Sequence, residues 1–466
     1  MPQRPTLYMV SLGCPKNRVD SEIMLGAANR AGYELVGDPA RARVIVVNTC
    51  GFIESAKRES IDAIFEMAAH KQEGACERLV VTGCLAQRHH AELAAEIPEI
   101  DHLLGSGDLM RLQEVLAGKA ARDLVGSAAG YLVRATDRRV ISTGQASAYV
   151  KIAEGCDRRC SFCVIPDLRG KHRSRPVADI VREVEQLAAQ GVFEVNLVSQ
   201  DTIAYGHDLG ARKASLAELV EKVANVSGIR WVRLLYLYPD ELDDRLLELL
   251  AGHESVLPYI DMPMQHASDS VLKRMRRGHS KARLRKTIER LRKRVPDLTL
   301  RTAFIVGFPG ETESDFAELI DFVQWARFDR LGVFRFSDED TAPSYGLEDK
   351  VPARESYNRW RRLMAAQRPI AKAANHALVG RDVQVLVEGA SEEHELVMVG
   401  RHAGQAPDID GQVWFTNSEV SAGELWKATV VRATDYDLVV ETVGKALHKP
   451  ARGKARRGLP VIGSRV

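Results

Sequence analysis

Near its start the chain carries three short apolar runs, and each one ends at a cysteine. They are Tyr8-Met9-Val10-Ser11-Leu12-Gly13-Cys14, Val44-Ile45-Val46-Val47-Asn48-Thr49-Cys50 and Leu79-Val80-Val81-Thr82-Gly83-Cys84. Runs rich in Val and Ile and closed by Gly or Asn predict buried parallel strands. The cysteines stand 36 and then 34 residues apart, about the length of one strand–helix–strand unit. Helical segments over 21–31 and 54–69 fill the gaps. Parallel strands end along a single edge, where open α/β sheets bind ligands. Three thiols at three such ends are therefore predicted to converge.

The chain has 466 residues, too many for one ordinary core, so several domains are expected. A stretch from Asp108 to Ala146 has no sustained pattern and is read as a helix followed by a linker hairpin. Then β-like runs alternate with helices six times: 148–156, 194–201, 232–239, 259–265, 298–308 and 331–337. Such alternation predicts parallel strands with crossover helices, closing as a partial (β/α)6 barrel with its chemistry at the C-terminal strand ends. A helical stretch over 355–377 follows. Five short alternating strands (382–388, 395–402, 412–415, 427–433 and 437–443) then predict a small antiparallel β-barrel of the OB-like kind. The fold class is thus α/β multidomain. Its parts are an N-terminal open parallel sheet over 1–120, a linker over 121–146, the central barrel over 147–376, the small β-barrel over 377–444 and a basic tail over 445–466. The tail holds Lys445, Lys449, Arg452, Lys454, Arg456, Arg457 and Arg465 with no acid, and is expected to be disordered.

The formal net charge is +2, which argues against bulk attraction to nucleic acid. No secretory segment is visible and no apolar run approaches the roughly 18 residues that span a bilayer. A cytoplasmic protein without a membrane partner is expected. There, seven cysteines point to metal ligation, catalysis or plain packing rather than to disulfides.

The second cysteine group is the densest chemical signal. Cys156-Asp157-Arg158-Arg159-Cys160-Ser161-Phe162-Cys163 follows the first barrel strand as a C-x3-C-x2-C loop. Three thiolates on one short loop hold three corners of a cubane cluster and leave its fourth iron open to a small molecule. S-adenosylmethionine offers the amino and carboxylate groups for that position. The competing reading is a zinc loop with a distant fourth ligand, for which His172 is the nearest candidate.

These residues resemble the radical S-adenosylmethionine superfamily and, more narrowly, the methylthiotransferases, a resemblance that covers nearly the whole chain and identifies the C-terminal barrel as a TRAM domain. It implies two 4Fe-4S clusters, one on Cys156, Cys160 and Cys163 and a second on Cys14, Cys50 and Cys84, with S-adenosylmethionine as cofactor and an external electron donor. The first cluster generates a radical that takes hydrogen from an unactivated carbon; the second supplies or carries sulfur. Cys76 matches neither group and is left as a packing residue.

Two branches of that family compete. One methylthiolates transfer RNA adenosine; the other acts at the β-carbon of an aspartate of the twelfth small-subunit ribosomal protein. Ile165-Pro166-Asp167-Leu168-Arg169-Gly170-Lys171, Ser199-Gln200-Asp201-Thr202, Tyr205-Gly206 and Asp261-Met262-Pro263-Met264-Gln265-His266-Ala267 resemble the ribosomal-protein branch. Charge leans the same way. Residues 378–444 carry twelve acids against four bases, a net of −8, which suits a basic protein partner, free or on the small subunit, better than RNA. The run Lys273-Arg274-Met275-Arg276-Arg277 is read as a solvated helix face, with contact to ribosomal RNA as the sharper option. From another class comes the reading of a non-catalytic iron–sulfur carrier. Among other residues at the barrel mouth, Gly307 and Glu311 are expected in a turn that approaches the cofactor. Gln265 and His266 are expected at the fourth strand end, and Arg175 is a candidate anchor for a carboxylate.

Overall fold

In the strand Val44–Thr49 every position is buried, as it must be where helices cover both faces of a sheet. It is central in a five-stranded parallel sheet ordered Glu34–Leu35, Thr6–Ser11, Val44–Thr49, Arg78–Gly83, His102–Leu104. The computed structural model describes residues 4–449 except 145, 211–213, 241, 395 and 417–418. The two outer strands, of two and three residues, are too short to leave a periodic signal in the sequence. Ser11 lies opposite Asn48, and Thr49 opposite Gly83, so the three cysteine-bearing loops leave the sheet side by side. Cys76 packs in the apolar core of this domain with Ile45, Leu79 and Met67.

The 109–116 stretch forms one short helical segment, but the expected linker hairpin does not form. Among the described residues of 117–146 none belongs to a strand, apart from a bridge between Leu103 and Asp123. What fixes this linker is charge. Arg139 donates to Glu22 at 2.6 Å and to the Tyr149 carbonyl at 2.8 Å, tying the first helix of the chain, Pro15–Arg30, to the barrel.

The barrel has six parallel strands in sequence order: Ser147–Lys151, Glu194–Val198, Trp231–Leu234, Val256–Asp261, Thr299–Val306 and Arg330–Arg335. Val195, Leu197, Val232, Leu234, Ile260 and Leu300 face the surrounding helices in one apolar core. The alternate positions point inward and are polar or aromatic: Tyr149, Lys151, Glu194, Asn196, Arg233, Tyr259, Asp261 and Arg301, all buried or nearly so.

The C-terminal barrel is closed, in the order Asp382–Ala390, Met398–His402, Val413–Phe415, Leu438–Thr442, Leu425–Ala433. Four of its pairings are antiparallel, and Val413–Phe415 with Leu438–Thr442 is parallel. Leu447 and His448 continue along Leu425, so the start of the basic tail is placed; 450–466, with Arg452, Lys454, Arg456, Arg457 and Arg465, lie outside the described residues.

This barrel does not hang free. Its 402–411 segment fills the inner face of the central barrel. Arg401 donates to Glu194 at 2.7 Å and to Glu388 at 2.7 Å, Arg233 to the Ala403 carbonyl at 2.9 Å, Tyr259 to Asp410 at 2.8 Å and Tyr149 to Asp408 at 3.1 Å. Arg18, from the N-terminal domain, reaches Asp408 at 3.3 Å. Burial works against the Glu194 anion, but Arg401 and Arg233 outweigh it and hold its pKa at about 2. The acidity read from the sequence is therefore partly engaged within the fold and partly on the surface. Asp410 is buried against Tyr259 and Arg301, while Asp408 stays half exposed as it meets Tyr149 and Arg18; Asp382, Glu388, Glu424 and Asp435 pair with Lys427, Arg401, Lys449 and Arg368. Glu392, Glu393, Glu419 and Glu441 remain on the outside. No helix among the described residues is long and apolar enough to cross a membrane.

Candidate functional site

Cys14, Cys50 and Cys84 are brought together by glycines that let three backbones touch. Gly13 has φ +84°, and a Cβ there would lie 2.8 Å from Cys50 Cβ. A Cβ on Gly51 would meet Leu85 at 2.8 Å and Cys84 at 2.9 Å, and one on Gly83 would strike Thr49 O at 2.5 Å. Only residues without side chains allow this approach. Burial raises the Cys50 thiol to about 12, with Cys84 and Cys14 adding to the effect. At Cys14 burial also disfavours the thiolate, but Lys16 and Arg169 outweigh it and the pKa falls.

Cys156, Cys160 and Cys163 sit in a loop pinned at both ends. Cys156 N donates to the Gly170 carbonyl at 3.0 Å, Ser161 N to the Met275 carbonyl at 3.1 Å, and Ser344 N to the Ser161 carbonyl at 2.8 Å. Burial pushes Cys163 up to about 12 and Cys156 to about 11. Metal binding must therefore displace protons from both trios.

The trios face each other. Cys84 packs in one apolar cluster with Val164, Leu168, Ala342 and Phe52, and Val164 directly follows Cys163. Arg88 clamps the arrangement, donating to Glu339 at 2.8 Å and to the Gly51 carbonyl at 3.1 Å; Lys57 meets Glu339 at 3.1 Å. The cysteine edge of the N-terminal sheet thus lies over the C-terminal mouth of the barrel.

Between the trios runs a buried charge network. Arg169 donates to Asp20 at 2.7 Å and Asn17 at 2.6 Å and is in hydrogen-bonding reach of the Cys84 sulfur. Lys151 donates to Asp20 at 2.7 Å and pairs with Glu154, which also accepts from Gln200 at 2.6 Å. Arg169 and Gln200 stand in motifs that assign them no role from sequence, and Lys151 and Asp20 carry no local signal at all, since Asp20 meets Lys151 and Arg169 across more than a hundred residues.

Arg277 closes the basic run expected on a solvated helix face. It is instead 5% exposed and donates to Cys160 Sγ at 3.4 Å and to the Pro263 carbonyl at 2.7 Å. Tyr238 lies under both Arg277, at 4.1 Å, and Arg158, at 3.8 Å.

The other expected mouth residues are placed as follows. Gln265 has φ +73° and is held by backbone bonds to Ala303 and Ile305 at 2.8 Å each, a strained position of the kind found at ligand sites. His266 is fully buried; its Nδ1 accepts from Ser268 N at 3.0 Å and its Nε2 lies 3.5 Å from Glu311. The Glu311 carboxylate accepts from Gly307 N and, at 3.2 Å, from Phe308 N, and meets Arg359 at 3.3 Å. Gly307 makes its close approach to Ser356, whose Oγ would lie 2.4 Å from an added Cβ. Arg175 is committed to Asp179 at 2.7 Å, Glu183 at 2.6 Å and the Lys151 carbonyl at 2.6 Å, so it supports the barrel wall. His172 meets Ser174 Oγ at 3.1 Å. Among the described residues no three His, Cys, Asp or Glu side chains close on one point as the ligands of a single ion do. Three soft sulfurs per loop set, with no oxygen donor among them, fit the wider iron–sulfur cluster.

The radical SAM superfamily profile matches residues 150–323, the TRAM domain profile 379–443, and the profile of an uncharacterised protein family, UPF0004, 6–105. Among solved structures, the radical S-adenosylmethionine methyltransferase TsrM from Kitasatospora setae shares the fold, with TM-score 0.53 at 14% identity over 73% of this chain and 77% of that one. Curated relatives share far more. The ribosomal protein uS12 methylthiotransferase RimO of Sorangium cellulosum (strain So ce56) is 63% identical over 93% of this chain and 90% of its own length. That of Anaeromyxobacter sp. (strain Fw109-5) is 50% identical over 98% and 99%, and that of Myxococcus xanthus (strain DK1622) 48% over 98% and 95%. The protein is a radical SAM enzyme with an iron–sulfur cluster and S-adenosylmethionine as cofactors, and the chain belongs to the RimO family of methylthiotransferases.

Proposed function

We propose that the chain inserts a methylthio group at the β-carbon of an aspartate of ribosomal protein uS12, using two 4Fe-4S clusters. Cys156, Cys160 and Cys163 would hold one, with its open iron for S-adenosylmethionine; Cys14, Cys50 and Cys84 would hold the other. When bound, the first supplies with S-adenosylmethionine a carbon radical that takes the hydrogen atom, and the second supplies the sulfur. The observation that carries this reading is the facing of the two trios across Val164, Leu168 and Phe52. Hydrogen abstraction and sulfur delivery must reach one carbon, and two remote clusters could not serve it.

The chain's own residues close the chamber. The Arg88–Glu339 clamp holds the N-terminal edge over the mouth. The 402–411 segment fills the inner face, keeping water from the radical. Gln265 and the backbone at Gly307 line the cofactor side, His266 and Glu311 brace that wall from behind, and Arg175 holds the first strand at the other edge. The substrate is a basic protein, free or within the small subunit, and the reductant is an external donor; the outward acids of the C-terminal barrel, Glu392, Glu393, Glu419 and Glu441 among them, are the surface offered to the substrate.

The test is anaerobic reconstitution with iron counted per chain, then mass spectrometry of uS12 and of bulk transfer RNA from a deletion strain. About eight irons, 5′-deoxyadenosine on reduction and a uS12 that lacks the methylthio mass support the reading. Four irons in the fully loaded chain, or a modification lost from transfer RNA with uS12 unchanged, overturns it.

A further inference from the structure

Lys16 occupies the first turn of the helix Pro15–Arg30, two positions after Cys14, and is 7% exposed. Its ammonium sits 3.2 Å from the centre of the Tyr236 ring. Among the described residues no carboxylate pairs with it. The nearest acid along its helix, Asp20, is engaged by Lys151 and Arg169, each at 2.7 Å. Taking an ammonium out of water is costly, and a cation–π contact returns only part of that cost. The anionic neighbour the fold gives it is the Cys14 sulfur two positions away, and among the described residues no carboxylate answers it, whereas Lys151 and Arg169 are matched by Asp20 and Glu154.

Position says which anion. Tyr236 leaves the third barrel strand with φ +61° and interacts with Lys16 and Cys14. Tyr238, two positions on, lies under Arg277, which touches Cys160. One strand exit thus spans the interval between the trios, and the Lys16 ammonium stands at its N-terminal-domain end. The sulfur site has a second cation besides Lys16 in Arg169, within reach of Cys84, so the Lys16 charge is not needed by the thiols alone. Resting on the proposed function, the group that must enter this interval is an aspartate side chain. Its carboxyl carbon is bonded directly to the β-carbon to be modified, so fixing the carboxylate fixes the reacting carbon.

We propose that Lys16 is the receptor for the carboxylate of the substrate aspartate and so determines that an aspartate, in place of its amide or a longer acid, is modified. Lys16 is a specificity residue in this assignment, distinct from the thiols beside it.

The experiment uses the reconstituted full chain and two forms of uS12, one with the target aspartate and one with asparagine there, and measures the affinity for each alongside product formation. The wild type should prefer the aspartate form by roughly tenfold or more, the size of one charge-assisted contact. Lys16→Met should bind the two forms alike with iron content unchanged, and Lys16→Arg should keep most of the preference. A Lys16→Met enzyme that retains full iron and the wild-type preference overturns the proposal. So does one that loses four irons, because Lys16 would then serve the sulfur site. Absence of methylthio product from a wild type that still prefers the aspartate form counts against the proposed function while supporting the Lys16 assignment.

Discussion

Arg277 reaches Cys160 from outside the cysteine loop, its Nη1 3.4 Å from the sulfur. A cationic donor on a cluster sulfur stabilises the reduced, more negative state. Arg277→Met is expected to assemble its iron normally but to need a lower potential for reduction, by on the order of 50 mV for the loss of one such bond. 5′-Deoxyadenosine formation should slow with it. A redox titration followed by electron paramagnetic resonance reads the shift; an unmoved midpoint would mean that Arg277 only packs against Tyr238.

Arg169 joins the two cysteine loops through Asp20 and Asn17. Arg169→Met leaves Asp20 with one cation where it had two, in a buried setting where breaking an ion pair costs about 3–5 kcal/mol. The melting temperature should fall, and iron should be lost from the Cys14, Cys50 and Cys84 side. Adding Asp20→Asn is expected to recover part of the stability and none of the iron. Recovery of both would assign Arg169 to folding alone.

At the seam between the barrels, Arg401→Met leaves the fully buried Glu194 carboxylate with Arg233 alone, at 3.4 Å. A loss of about 3–5 kcal/mol is expected, and Arg401→Met combined with Glu194→Leu should restore much of it, because well-packed apolar pairs replace buried ion pairs at little cost. Urea denaturation of the three variants measures the coupling. Additive effects would show that the pair does not act across the seam.

His402 gives this seam a pH dependence. Burial holds its pKa at about 3, with Arg330 and Arg233 adding to the effect, against about 6.5 in the unfolded chain. Below the unfolded value the unfolded chain takes up a proton that the folded one refuses. Stability is therefore expected to fall from pH ~6.5 toward ~3, by up to about 1.4 kcal/mol per pH unit. Glu194 acts lower: its depressed pKa stabilises above about 4.3, and that share is lost as the pH falls through about 2. His402→Gln should flatten the stability profile between pH 6 and 4. An unchanged slope there would locate the acid sensitivity elsewhere.

The positions of the six cysteines were legible because each ends a β-like run, and strand ends in α/β folds need no long-range information to be found. Even the convergence of Cys14, Cys50 and Cys84 followed from matched spacing. Lys16, Arg169 and Arg277 were not legible as site residues. A basic residue near a cysteine reads as solvated, and only the packing of a second domain buries it. Glu194 and Arg233 were hidden for a related reason. They alternate with Val195 and Val232 in runs whose apolar half suffices to predict a strand, and the partner of the polar half lies about two hundred residues on, at Arg401 and Ala403. The acidic count over the C-terminal barrel is only partly free surface, because composition does not say which carboxylates, such as Asp410 and Glu424, turn inward.

The filling of the central barrel by the 402–411 segment bears on how such enzymes can be recombined. A chimera that takes its last domain from a relative would import a plug cut for another bore. Unless the residues at 149, 194, 233, 259 and 301 travel with it, the graft should leave ions stranded and the reaction chamber open to solvent. Lineages that exchange substrates by exchanging this domain would have had to change both sides of the joint together.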